Sequence, residues 1–165
     1  MKHIYAIITL AGAVSICSAG TASITLQGAV GTATFLAVTP AVGYNTLDLG
    51  IDQTTGLKVA TVNEKSNKHN GYSVTIASAG AISKGGGTSA KLVGALTTPE
   101  SLTYNMKYNG VAVTLSGGAA TVTDASVKTL GTGVDKDLSI TYLGASANLA
   151  ADTYSDTLTL TIAAK

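Results

Sequence analysis

Residues able to do acid–base, thiol or metal chemistry are few in this chain of 165 residues, which contains two His, one Cys and 12% charged residues. His69 lies in the polar stretch SNKHNG, which is typical of a solvated loop. Glu64 and Glu100, the two Glu residues, are far apart in the sequence, and no aromatic-rich segment accompanies them as a sugar-cleaving carboxylate pair would need. We therefore expect no catalytic residues and predict that the protein is not an enzyme.

Metal and cofactor sites are also poorly supported. Asp135 and Asp137 in GVDKDLS carry the oxygen ligands that Ca²⁺ prefers, but this ion takes six or more ligands, so we interpret the pair as solvated turn residues. The glycines at 85–87 lack the strand–loop–helix context and the following Lys-Ser/Thr of a phosphate-binding loop. The sequence predicts no metal and no cofactor.

The basic residues argue against nucleic acid as a partner. All ten are Lys, so the bidentate guanidinium that dominates base and phosphate recognition is missing. Several tyrosines could instead form a sugar-binding surface, but most lie on alternating apolar faces, which favours packing in the core. These tyrosines are Tyr72, Tyr104, Tyr108, Tyr142 and Tyr154.

The N-terminus predicts export. Lys2 and His3 precede the apolar run IYAIITLAGAVSIC, which gives way to small residues. This order is typical of a secretory signal peptide, and the run is shorter than the roughly 20 apolar residues of a membrane-spanning helix. We assign residues 1–20 to the signal, with cleavage between 19 and 22. Cleavage at any of these positions removes Cys17. The alternative, a lipid anchor, would keep Cys17 as the first residue, but Ile16 lies where that processing needs Gly, Ala or Ser.

The rest of the chain predicts an all-β fold. Apolar and polar residues alternate in about nine segments, as in strands with one buried face, and no helix is evident. In the last segment, TYSDTLTLTIAAK, the residues Tyr154, Leu158, Leu160 and Ile162 share one face. Weaker strands are expected at 46–51, 57–65, 91–96 and 119–123.

The turns predict how these strands connect. Asn109-Gly110 predicts a tight hairpin, and Asn70-Gly71 a longer turn between two strands of a meander. Short alternating strands with frequent turns favour an immunoglobulin-like antiparallel β-sandwich, with a closed barrel as the alternative.

We assign residues 21–40 to an N-terminal arm or first strands, ahead of a β-sandwich body at 41–165. In TASITLQGAVGTATFLAVTP the apolar or small residues Ala22, Ile24, Leu26, Gly28 and Val30 alternate with polar or small ones. Such an arm can be the first strand of its own domain, or it can complete the sheet of a neighbouring molecule by strand addition.

The signal peptide, the alternating arm, the β-rich body and the C-terminal YSDTLTLTIAAK together resemble chaperone–usher fimbrial (pilin) subunits and the related spore coat protein U-like secreted proteins. The segment NEKSNKHNGYSVTIAS is the other part of the resemblance. It implies an incomplete immunoglobulin-like fold whose open groove is filled first by a periplasmic chaperone and then by the arm of the next subunit. An outer-membrane usher and identical or related subunits are the other implied partners, and the cell surface is the implied location.

On this chain the resemblance implies that Ile24, Leu26, Gly28 and Val30 are donor-strand residues. It implies that Leu158, Leu160 and Ile162 line the acceptor groove. The mature chain lacks a disulfide pair and a penultimate Tyr, which favours a cysteine-free alternative type of pilin. A host or surface glycan is a further expected partner. The alternative function is a monomeric secreted module, either spore-coat-like or carbohydrate-binding.

Overall fold

The computed structural model describes residues 23–96, 100–129 and 131–165. The predicted signal peptide at 1–20 lies outside these residues. The chain divides into two units, Met1–Val30 and Gly31–Lys165. In the first unit, residues 23–30 contain no helix or strand. All of the regular secondary structure described below belongs to the second unit.

Strands dominate the second unit, in which the described residues form ten strands and two short helices. The elements are β1 (Thr34–Pro40), β2 (Asp52–Ser66), β3 (Tyr72–Ser78), α1 (Ala79–Ser83), β4 (Ala90–Gly94), β5 (Ser101–Tyr108), β6 (Val111–Val113), β7 (Ala119–Ala125), β8 (Val134–Leu143), α2 (Gly144–Ala147), β9 (Tyr154–Ser155) and β10 (Leu158–Ala164).

The strands form two antiparallel sheets, which confirms the all-β prediction. The larger sheet has the order β1-β2-β8-β5-β4-β9, with β6 also paired to β5, and the smaller has the order β10-β3-β7. Most neighbours within a sheet are distant in the sequence, so the predicted meander is wrong. The polar stretch before Gly71 joins β2 of the larger sheet to β3 of the smaller sheet, so these consecutive strands do not pair with each other.

Both sheets contribute to one hydrophobic core. Val62 and Ile140 come from the larger sheet and Ile76 from the smaller, and all three are buried. Burial alternates strictly along β5, as the period of a strand requires. Four tyrosines interpreted as core residues are buried, which confirms that interpretation: Tyr72, Tyr104, Tyr108 and Tyr142.

The predicted hairpin at Asn109-Gly110 is present. It joins β5 and β6, with Tyr108 opposite Val111. Both turn residues have positive φ, 49° at Asn109 and 80° at Gly110, as a two-residue turn with the right twist demands. The local sequence was sufficient here because the turn geometry depends on these two residues alone.

Three local predictions are wrong. Residues 46–51 form a loop rather than a strand, and two short helices occur where none was predicted. The final segment is not one strand: Tyr154 belongs to β9 in the larger sheet, whereas Leu158, Leu160 and Ile162 belong to β10 in the smaller. The residues between β9 and β10 cross from one sheet to the other.

Candidate functional site: the adjoining edges of β1 and β10

Two strand edges without a partner lie next to each other in the second unit. Among the described residues β1 pairs only with β2, and β10 pairs only with β3. Several Cα atoms of β1 lie within 8 Å of β10. The edge of the larger sheet thus adjoins the edge of the smaller, and each presents backbone N–H and C=O groups that no described strand uses.

The apolar residues of these two edges are incompletely covered. Leu158, Leu160 and Ile162 of β10 are half-buried, and the threonines between them are exposed. On β1, Leu36 is half-buried, and Phe35 is exposed. The inward-facing residues of β5, by contrast, are fully buried. The part of the core beside β1 and β10 is therefore more open to solvent. The three residues expected to line an acceptor groove therefore lie together on one half-covered face; whether they accept a strand stays a prediction.

The residues predicted to donate a strand are exposed. Ile24 is 88% exposed, and Leu26 and Val30 are each 91% exposed. A Cβ built on Gly28 would meet no described atom within 4 Å, so no described neighbour requires glycine there. Exposed branched side chains at alternate positions leave apolar surface uncovered, and their predicted role as donor residues stays a prediction.

Asn67 holds the chain where β1 begins. Its Oδ1 accepts a hydrogen bond from Ala33 N at 2.7 Å, and its Nδ2 donates to Gly31 O at 2.8 Å. The Asn67 backbone N–H also donates to Ala33 O at 3.1 Å. The direction in which the chain enters β1 is therefore set by one side chain from the end of β2. No sequence signal pointed to this residue, since it lies in a polar loop.

Glu64 is the centre of a buried polar network that spans both sheets. It is completely buried on β2, and its carboxylate accepts hydrogen bonds from the Tyr72 hydroxyl at 3.0 Å and the Tyr108 hydroxyl at 2.6 Å. Thr123 Oγ1 donates to it at 2.7 Å, and Lys136 Nζ forms an ion pair with it at 3.0 Å. These five residues belong to five strands, so the network joins the sheets by hydrogen bonds as well as by apolar packing.

The network changes how its tyrosines titrate. Burial, together with the hydrogen bond to Glu64, raises the pKa of Tyr72 to about 12. Burial and the same carboxylate also raise the pKa of Tyr108. Both effects disfavour a second negative charge beside Glu64. The neutral phenols are therefore part of the folded structure. Sequence reasoning had treated Glu64 only as a candidate catalytic residue.

Asp156 fixes the crossing between β9 and β10. Its carboxylate accepts from Ser78 Oγ at 2.6 Å, from Gly80 N at 2.7 Å and from the Tyr104 hydroxyl at 2.7 Å. Ser78 caps α1 by accepting from Ala81 N at 3.0 Å. The start of β10 is thereby attached to both sheets, which places its apolar residues beside β1.

The other candidate residues have structural partners or lie in solvent. His69 is exposed in the turn before β3. Asp135 and Asp137 lie on β8, where Asp135 accepts from Asn63 Nδ2 at 2.6 Å. The hydrogen bond from Lys58 holds the pKa of Asp137 below its usual value. No group of three or more His, Cys, Asp or Glu residues in the described part of the chain could hold a metal ion.

None of the helices in the described residues is long and apolar enough to cross a membrane. No protein-family model matches this chain, and no curated protein matches it. Its function must therefore be argued from its own residues.

Proposed function

We propose that the protein is an exported structural subunit of a bacterial surface fimbria or pilus. In this proposal the body is an immunoglobulin-like sandwich that lacks one strand, and subunits polymerise by donor-strand exchange through the N-terminal arm. The fibre would serve in adhesion or in the structure of a surface community. The subunit would be of the cysteine-free chaperone–usher type.

The observation that carries the proposal is the pair of adjoining edges on β1 and β10. A strand added along either edge would hydrogen-bond to backbone groups that no described strand pairs with. Its inward side chains would cover Leu158, Leu160 and Ile162, which are only half-buried without it. A missing strand accounts for both the free hydrogen-bonding groups and the open apolar row.

The arm has the composition that such a strand needs. Residues 22–30, extended at about 3.3 Å per residue, would span roughly 30 Å, which is enough to follow the seven residues of β10. Ile24, Leu26 and Val30 are almost fully exposed. Burying each of them would contribute about 1.5–3 kcal/mol. Gly28 would lie where the groove is too shallow for a side chain.

The proposal includes partners before and after assembly. A periplasmic chaperone would occupy the groove of the free subunit, since an open apolar edge favours aggregation. An outer-membrane usher would then exchange the chaperone for the arm of the next subunit. Identical or related subunits are the final partners, at the cell surface.

Substitutions on alternate arm positions test the proposal. Ile24→Asp combined with Leu26→Asp places two charges on the apolar face, so we expect loss of multimers and retention of a folded monomer. Thr25→Asp combined with Gln27→Asp adds the same charge to the other face and should leave assembly largely intact. Size-exclusion chromatography and electron microscopy measure the multimers, and circular dichroism measures the fold.

Two results would contradict the proposal. Unfolding of the Ile24/Leu26 variant would make the arm the first strand of its own domain. Equal assembly by both variants would show that the apolar face of the arm is not the part that is bound.

A further inference from the structure

A cleft separate from the β1 and β10 edges opens within the second unit. Its volume is about 850 Å³, within the range of roughly 300–1,000 Å³ that is usual for small-molecule sites. One wall is the loop at 44–50 and the other is the segment at 144–156. The proposed polymerisation makes no use of this cleft.

The cleft combines an apolar floor with a polar rim. Leu47, Leu49 and Leu92 are floor residues that belong to the core or contact it. Tyr44, on the rim, is 50% exposed, so part of its ring is available for contact. Asn148, on the opposite wall, is exposed.

The two rim amides have unused hydrogen-bonding capacity. The side chains of Asn45 and Asn148 are exposed and make no hydrogen bond to any described residue. Each amide can accept through its oxygen and donate through its nitrogen. A sugar hydroxyl also both donates and accepts, so two vicinal hydroxyls can hydrogen-bond to one such amide. The apolar face of a sugar ring can pack against an aromatic ring such as that of Tyr44.

The charged groups of the cleft argue against an anionic ligand. Among the residues that the structure describes, its charged lining residues are Asp152 and Asp156, and none of the described lining residues is a Lys or His. Asp156 already accepts three hydrogen bonds from within the protein, and Asp152 accepts from Leu96 N at 3.0 Å. These carboxylates are positioned structurally, and their negative charge would repel sulfate, phosphate or sialic acid groups.

The walls of the cleft are held in place by the fold. The Tyr142 hydroxyl donates to Asp48 O at 3.0 Å, and Gly50 N donates to Asp48 Oδ1 at 2.9 Å. A Cβ on Gly144 would lie 2.3 Å from Leu49 O, so the loop packs directly on the start of α2. Asn148 adopts the left-handed conformation that ends α2. A site held in this way loses little entropy when it binds.

From these features we propose that the cleft binds a neutral oligosaccharide. The Tyr44 ring contacts the apolar face of one sugar, and the amides of Asn45 and Asn148 bind its hydroxyls. The acidic lining excludes sialylated and sulfated glycans. This binding is independent of strand exchange, because no described residue of the arm lines the cleft.

The test uses the full exported protein and a panel of neutral hexose and N-acetylhexosamine trisaccharides with sialylated and sulfated counterparts. Titrations followed by the side-chain amide NMR signals of Asn45 and Asn148 should shift with at least one neutral glycan and not with its acidic counterpart. Tyr44→Ala should weaken binding roughly tenfold, and Tyr44→Phe should retain most of it. Asn45→Ala should weaken binding, whereas the matched variant Asn70→Ala, in an exposed turn, should not.

Failure of this proposal is distinguishable from failure of the fimbrial one. No shift with any neutral glycan, or stronger binding of the acidic counterparts, would overturn the cleft assignment and leave the polymerisation test untouched. Equal binding by Tyr44→Ala and the unaltered protein would also overturn the cleft assignment, because the glycan would then contact residues other than Tyr44. The Ile24→Asp/Leu26→Asp variant should bind the glycan as well as the unaltered protein.

Discussion

At the scale of single residues, Glu64 is a position where we expect substitution to be costly, because it is completely buried and has four side-chain partners. Glu64→Gln removes the buried negative charge that Lys136 Nζ contacts at 3.0 Å and places a donor beside two other donors. Because a buried ion left without its partner is costly, we expect the free energy of unfolding to fall by about 3 kcal/mol or more. Urea denaturation followed by circular dichroism measures the loss.

The matched control is Glu100→Gln. Glu100 is exposed and accepts from Ala150 N at 2.9 Å, which a Gln oxygen can also do, so we expect a change of less than about 0.5 kcal/mol. Lys136→Met should lower the free energy of unfolding less in the Glu64→Gln variant than in the unaltered protein, because the two residues belong to one network. Additive effects of these two substitutions would contradict a coupled buried pair.

Tyr72 gives the fold a dependence on alkaline pH. Its pKa rises from 10.0 to about 12 on folding, so the folded state binds this proton more tightly than the unfolded state does. The stabilisation is fully present below pH 10 and is lost as the pH rises through about 12. Measured unfolding free energies should therefore stay level up to about pH 10 and fall between pH 10 and 12.

Phenylalanine substitutions separate this effect from general alkaline damage. Tyr72→Phe should lower stability at pH 8, because the bond to Glu64 is lost, and should make the decline above pH 10 shallower. Tyr44→Phe, at an exposed position, should leave the pH profile unchanged. An unaltered slope in Tyr72→Phe would show that other groups cause the decline.

At the scale of elements, Asn67 connects the end of β2 to the start of β1. Asn67→Ala removes the bonds to Gly31 O and Ala33 N, which should lower the unfolding free energy by about 1–2 kcal/mol. Because β1 pairs with β2 alone among the described strands, its amides should exchange with solvent faster than those of β8. Hydrogen exchange resolved by NMR measures this difference.

The comparison variant is Asn70→Ala, which changes the same residue type in a neighbouring turn. It should leave exchange in β1 unchanged. Faster exchange spread evenly over all strands of Asn67→Ala would mean that the whole fold, rather than the start of β1, depends on Asn67.

At the scale of the whole molecule, the proposed missing strand predicts stabilisation by an added peptide. A synthetic peptide of residues 22–30 binds only the folded body in this proposal, so Tm should rise with the logarithm of its concentration once the concentration exceeds Kd. The same peptide should block assembly of the full chain. Differential scanning calorimetry and size-exclusion chromatography measure the two effects.

A peptide carrying Ile24→Asp and Leu26→Asp should produce neither effect. The interaction should also depend weakly on salt, because the chain has ten basic and nine acidic residues and a formal net charge of only +1. A Tm that rises equally with both peptides would contradict binding through the apolar face.

Local patterns were sufficient to predict the class of fold and several of its parts. Alternation of side chains identified β5 and the apolar face of β10, because the two-residue period of a strand is a property of the backbone itself. Asn109-Gly110 predicted its hairpin since both residues tolerate positive φ.

The tertiary structure decided which strands meet and which polar groups are joined. The chain crosses between sheets after β9, where Asp156 interrupts the apolar face between Tyr154 and Leu158 and is held by Ser78 and Gly80. Glu64 becomes a buried centre only because four other strands bring Tyr72, Tyr108, Thr123 and Lys136 to it. Such contacts join residues up to 78 positions apart, as Ser78 and Asp156 are, and no local pattern encodes a partner at that distance. The adjoining free edges of β1 and β10 arise in the same way, from the order of strands that packing selects.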